Sequence, residues 1–167
     1  AWTPSASVAT SADPDSRIHP PRSTNTNPTT RKRRQTMSET LQAGLSLTRK
    51  YDIDTARTIA FMGDECRVYS TPALLYDIEV CCRDLLLEHI GEGKDSVGTR
   101  VELDHVGATL LGMWIEITVK LVEVNGPAVV FEFSARDALE EVARGRHNRF
   151  VVGVDKTRQR LLGKLAK

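Results

Sequence analysis

The sequence predicts an α+β domain: one long helix laid on a curved, antiparallel, five-stranded sheet. Three observations carry that prediction. A single amphipathic helical run opens at Ser70-Thr71-Pro72 and stops at Gly91. One short run before it and four after it read as strands, most of them alternating apolar and polar residues with the period of two that a half-buried strand shows. Asn125-Gly126 supplies a hairpin signal between two of those runs. A helix that covers one face of one sheet is an α+β layer arrangement.

The chain divides by composition into two parts. Residues 1–38 are rich in Ser, Thr, Pro and Asn and poor in large aliphatic residues. Such a stretch buries too little apolar surface to offset the entropy of ordering it, so it is expected to be a disordered N-terminal extension. Its basic run, Arg31-Lys32-Arg33-Arg34, fits a solvated tail better than a nucleic-acid arm. No apolar stretch of the kind a secretory signal needs is present in it. Residues 39–167 form the predicted domain.

Within the domain, Leu45-Ser46-Leu47-Thr48 alternates and reads as the first strand. Residues 52–70 look irregular, with room for one short helical turn. Thr71 is a favoured N-cap, and Pro72 is preorganised for the first helical position. The helix is expected to run to His89–Ile90, with Gly91 as its stop. Then Val97, Thr99, Val101, Leu103 and His105 alternate with polar residues. Met113 to Leu121 and Val129 to Ala135 repeat the pattern on either side of the hairpin. A loop over 137–145 should lead to a last strand, Asn148 to Val154. The end, Asp155 to Lys167, reads as a short basic helix or a frayed tail.

Composition excludes several function classes. The net charge of +1 over 167 residues gives no pull toward nucleic acid or an anionic membrane. Aromatic residues at 5% are too few for a base-stacking surface. No apolar run approaches the roughly 20 residues that span a bilayer. Cys66, Cys81 and Cys82 are odd in number and lack framework spacing, which reads as reduced thiols in a cytoplasmic protein. Nothing resembles a zinc-ligand spacing.

The chemistry-bearing residues sit on the helix and the strand after it. On a helical wheel Leu74, Leu75, Ile78, Cys81, Cys82, Leu85 and Leu86 form one apolar stripe. Glu79 falls at the edge of that stripe, where a carboxylate is partly desolvated and suited to act as base or nucleophile. On the helix alone, a side chain that reaches solvent or pairs with Arg83 at i+4 is the simpler reading. Asp77 and Glu88 read as ordinary solvated charges, and His89 as a packing or capping residue near the helix end. His105 shares the inward parity of Val101 and Leu103, which fits either a satisfied core histidine or a site residue. His19 and His147 carry no signal of their own. Arg149 has the parity opposite to Phe150 and Val152, so it is expected to face away from the core.

Together these positions form a recognisable spacing. Val68-Tyr69-Ser70-Thr71, Glu79 eight residues on, Ser96-Val97-Gly98-Thr99 and His105 seven residues after Gly98 resemble the fluoroacetyl-CoA-thioesterase-like family of hot-dog proteins. Arg149 in His147-Asn148-Arg149 matches that family's arginine near the start of its last strand. The resemblance covers roughly residues 43–155. There is one departure. The fluoroacetyl-specific member carries a Phe six residues before its Thr, as part of a lid over the substrate, and here Glu65 stands there.

The resemblance implies an acyl-CoA thioesterase acting on a short or medium acyl group, with Thr71, Glu79 and His105 as the catalytic residues. Gly98 would offer its backbone N–H to the thioester oxygen. Arg149 would bind the substrate, through a CoA phosphate, or lie at a subunit boundary. Coenzyme A enters as part of the substrate, and no separate cofactor or metal is expected. Members of this kind pair sheets edge to edge, so a homodimer or a dimer of dimers is implied. A hydratase on the same fold is disfavoured by the Thr-to-Glu spacing. A non-catalytic acyl-CoA-binding module would have no use for all three reactive side chains.

Overall fold

A computed structural model describes residues 41–166; the extension expected over 1–38 lies outside these. Strand β1 (Ser46–Asp52) leads through a 3-10 turn (Thr55–Arg57) to β2 (Thr58–Ile59). A second turn (Asp64–Cys66) precedes β3 (Val68–Tyr69) and the long helix α1 (Thr71–Leu87). There follow β4 (Lys94–His105), β5 (Trp114–Asn125), β6 (Ala128–Arg136), β7 (Glu141–Gly153) and α2 (Val154–Leu165).

The expected architecture is present. Five antiparallel strands form one sheet in the order β1-β5-β6-β7-β4, and β2 and β3 make a separate two-stranded ribbon. Helix α1 packs on β1, β4 and β5. Its stripe of Leu74, Ile78, Cys81, Cys82, Leu85 and Leu86 is buried against Ile115, Ile117, Val119, Leu121, Phe131 and Phe133. Each such aliphatic side chain contributes on the order of 1.5–3 kcal/mol by leaving water. The hairpin falls where Asn125-Gly126 places it, with Asn125 opposite Ala128 and Gly126 at φ +57°.

Several local features differ from expectation, each for a physical reason. Ser70, not Thr71, is the N-cap: its backbone is extended and its Oγ accepts from the Ala73 N–H. Thr71 and Pro72 are then the first two helical residues. The helix ends at Leu87, before Gly91, and Gly91 and Gly93 (φ +79° and +73°) turn the chain into β4.

Strand β4 carries a bulge between Gly98 and Arg100, so its two halves obey opposite parity. Val101, Leu103 and His105 pair with His147, Gly145 and Ala143 on the helix side, as expected. Upstream of the bulge, Ser96 and Gly98 take the inward side and Val97 is exposed.

Strand β7 begins at Glu141, inside the expected loop. Its inward residues are Ala143, His147, Arg149 and Val151, while Phe150 is 41% exposed. Arg149 therefore faces into the chain, the reverse of expectation. The register explains this: Phe131 pairs with His147 and Val129 with Arg149, and both partners belong to the inward face of β6.

Asp77 is not a solvated charge. It is 2% exposed and accepts from Tyr69 Oη at 2.6 Å and from Arg57 Nε at 2.9 Å. This knot ties β3 and the turn before β2 to the middle of α1. Burial, then the bond to Asp77, push the Tyr69 hydroxyl far above its ordinary range.

Candidate active site

Strand β4 runs past α1 in the opposite direction, and three contacts in reversed order record it. Thr71 meets His105, Glu79 meets Gly98, and Arg83 donates to Asp95 at 2.8 Å. Because Arg83 is engaged by Asp95, the surface pair with Glu79 that the helix pattern allowed does not form.

The first two contacts define two polar groups. At the start of the helix, Thr71 Oγ1 and His105 Nδ1 are 2.9 Å apart. Since Ser70 does the capping, the Thr71 hydroxyl is free for the imidazole. The edge of the Tyr69 ring packs on His105 at a 6.5 Å centroid separation. His105 Nε2 is buried with no hydrogen-bond partner. Burial holds the imidazole below its ordinary range, and a nearby Gly107 backbone group pulls weakly the other way. Both side chains open onto a cleft of about 330 Å³ whose apolar wall includes Ile59, Phe61 and Val68. Glu65 is exposed and folds its carboxylate over Gly63, so it does not line this cleft.

The second group surrounds Glu79. A Cβ added to Gly98 would stand 2.6 Å from Glu79 Oε1, so only glycine leaves the carboxylate its place. His147 Nε2 is 3.6 Å from Glu79 Oε1, and Arg149 NH1 is 3.9 Å from Oε2. Glu79 itself keeps 42% of its side chain exposed. Arg149 is 4% exposed and donates inward to Ser96 Oγ (3.0 Å), Ser96 O (2.9 Å) and Glu79 O (3.3 Å). Those bonds leave its guanidinium inside the chain rather than at an outward CoA phosphate.

Within one chain, then, Thr71 and His105 come together, and Glu79, Gly98 and Arg149 come together. The two groups are about 12 Å apart along the axis, eight residues at roughly 1.5 Å each. His147 is the site residue that sequence reasoning missed. Its signal was its spacing of two from Arg149, which puts both on one face of a strand. Among the described residues no group of three His, Cys, Asp or Glu is placed to hold a metal, and no helix is long and apolar enough to cross a membrane. The three cysteines are free, and burial pushes Cys81 up to about 11.

A long helix packed on a five-stranded antiparallel sheet, in a chain matched over most of its domain by a thioesterase family, is a thioester hydrolase of the hot-dog fold. The chain belongs to the fluoroacetyl-CoA-specific thioesterase family, whose model matches residues 53–155. It is 24% identical over 127 residues to the fluoroacetyl-CoA thioesterase of Streptantibioticus cattleyicolor, spanning 72% of this chain and 91% of that enzyme. A solved structure of a fluoroacetyl-CoA thioesterase superposes with a TM-score of 0.68 at 23% identity, over 74% of this chain and 97% of that one. A hot-dog-like protein from Thermanaerovibrio acidaminovorans matches with a TM-score of 0.67 at 27% identity, over 73% and 91%.

Proposed function

We propose that this enzyme hydrolyses the thioester of a short or medium acyl-CoA to the free acid and CoA, in a site shared between two copies of the chain. The observation that carries the reading is the position of the two polar groups seven residues apart on one edge strand, at Gly98 and at His105. Strand β4 has no neighbour on its outer side among the described residues, and Val97 to Glu102 are all exposed. An unpaired strand edge is a template for another strand. If two copies of β4 pair antiparallel about a two-fold axis near Val101–Glu102, Gly98 and Glu79 of one copy face His105 and Thr71 of the other. Each dimer then holds two complete sites, as a closed two-fold interface requires.

In such a site the Gly98 N–H lies close to the thioester oxygen and stabilises the charge that develops there. Glu79 either takes the proton of an attacking water or attacks the carbonyl carbon itself. In the first case the water oxygen bonds to that carbon and the C–S bond breaks. The proton returns to the departing sulfur through His105, which Thr71 orients. In the second case the C–S bond breaks, CoA leaves as thiol after taking a proton from His105, and water hydrolyses the resulting mixed anhydride to the free acid and the Glu79 carboxylate. Arg149 serves as a fixed positive charge beneath the carboxylate. The apolar wall of Ile59, Phe61 and Val68 receives the acyl chain, and Phe61 takes the place of an aromatic cover at Glu65. A cytoplasmic setting suits the free thiols and the CoA thioester.

Subunit complementation tests this reading. Glu79→Gln and His105→Ala are each expected to abolish thiol release from acyl-CoAs. After mixing, unfolding and refolding, one of the two sites in each mixed dimer is intact. Random pairing then restores about a quarter of wild-type activity. A mixture as inactive as its components would refute the shared site, and an active Glu79→Gln variant would refute the role of Glu79.

A further inference from the structure

We propose that His147 is a positioning residue of this enzyme: it holds Arg149 close to the Glu79 carboxylate while keeping the guanidinium from hydrogen-bonding to it. The proposal rests on the reading of Glu79 as the reacting carboxylate.

The argument starts from partners whose roles are fixed. His147 Nδ1 lies 3.0 Å from the Arg100 carbonyl, which can only accept. Nδ1 therefore carries the proton. On the other side Nε2 lies 3.0 Å from Arg149 NH1, which can only donate. Nε2 therefore offers its lone pair. The two bonds together specify one neutral tautomer. Burial opposes protonation first, and the Arg149 charge opposes it as well; the Arg100 carbonyl and Glu79 favour it. A neutral His147 makes no ion pair with Glu79 at 3.6 Å.

Arg149 NH1 then has two acceptors, His147 Nε2 and the Glu79 backbone carbonyl. Its distance of 3.9 Å from Glu79 Oε2 is too long for a hydrogen bond. The carboxylate feels the positive charge but keeps its lone pairs for water or a carbonyl carbon. Without the imidazole acceptor, NH1 is free to turn to the carboxylate and bond it directly. A carboxylate held by a charge-assisted bond is a weaker base.

The groups facing this cluster are few. Helix α1 presents Glu79, with Cys82 and the Asp95-bound Arg83 farther along. Strand β4 presents Ser96, Gly98 and the Arg100 carbonyl. Strand β6 presents Phe131, and β7 presents His147 and Arg149 themselves. In the shared-site reading, His105 of the second copy is added.

Two substitutions separate positioning from mere packing. His147→Asn can still donate to the Arg100 carbonyl but is too short to reach Arg149. His147→Gln is long enough to offer an amide oxygen to Arg149, and it cannot be protonated in this range. The expected result for His147→Asn is a fall in kcat of about 10-fold or more, with KM within about 2-fold. The acid limb of its pH–rate profile should move about one unit lower. His147→Gln should restore kcat to within a few-fold of wild type. The proposal is overturned if folded His147→Asn matches wild type in kcat and acid limb, or if His147→Gln is as impaired as His147→Asn. Glu79→Gln, assayed beside them, isolates the underlying reading. If it is inactive while His147→Asn behaves as wild type, only the positioning role falls; if it is active, the reading of Glu79 falls.

Discussion

Gly98 and Glu79 are in such close contact that a single added methyl would lie 2.6 Å from the carboxylate oxygen and 3.1 Å from His147 Cε1. Gly98→Ala must therefore displace the acid. The strand is at the sheet edge and the Glu79 side chain is 42% exposed, so the backbone has little reason to suffer. Activity is expected to fall by about 100-fold, the cost of misplacing a reacting group by about 1 Å. The melting temperature should move by only a few degrees. Steady-state kinetics beside a thermal melt reads both, and an Ala variant with wild-type kcat would show that the carboxylate's place is unimportant.

The N-terminus of α1 allows stability and chemistry to be separated one residue apart. Ser70 caps the helix, while Thr71 spends its hydroxyl on His105. Ser70→Ala should cost about 1 kcal/mol of stability and leave kcat nearly unchanged. Thr71→Val should shift stability by no more than about 0.5 kcal/mol and lower kcat markedly. Urea unfolding and thiol-release rates on the two variants check the contrast. The opposite pattern would make Thr71 the cap after all.

The sequence alone carried the helix, the strand order after it and the spacing of Thr71, Glu79, Gly98 and His105, because these are periodic or local features. It did not show which hydroxyl caps the helix, since Ser70 and Thr71 are chemically alike and differ only in backbone angle. Parity failed where a strand departs from regularity. The bulge after Gly98 turns Val97 outward, and alternation cannot register one extra residue. In β7, Phe150 and Val152 look like core residues, yet the register with β6 buries His147 and Arg149 instead. Asp77 resembled any helix surface acid because its partners, Arg57 and Tyr69, come from a segment with no periodic signal.

That buried acid should carry stability rather than catalysis. Asp77→Ala removes the acceptor of a buried tyrosine hydroxyl and of Arg57, whose side chain remains 29% exposed. Loss of a buried charged partner costs 3–5 kcal/mol in general, and solvent at Arg57 places this case near the lower end, at about 3 kcal/mol. Asp77→Asn keeps an acceptor for both donors and should cost less. The order Ala below Asn below wild type in denaturant midpoint checks this. Equal midpoints would mean that the knot is dispensable.

The histidines fix the sign of the stability response to acid. His105 and His147 both lie below the ordinary imidazole range, in each case chiefly through burial. When the chain unfolds, each returns to a reference near 6.5. As pH falls from 7 through 6.5, the unfolded chain therefore binds protons that the folded chain refuses. Stability from these groups is fully present above the unfolded value and is lost as pH falls toward the folded one. His147 should dominate, because its side chain is 1% exposed and protonation would set a new N–H against the Arg149 guanidinium. The denaturant midpoint is expected to hold level from pH 8 to 7 and to decline on going to about pH 5. His147→Gln carries no such proton and should flatten most of that decline. A slope identical in wild type and His147→Gln would assign the acid sensitivity to carboxylates instead.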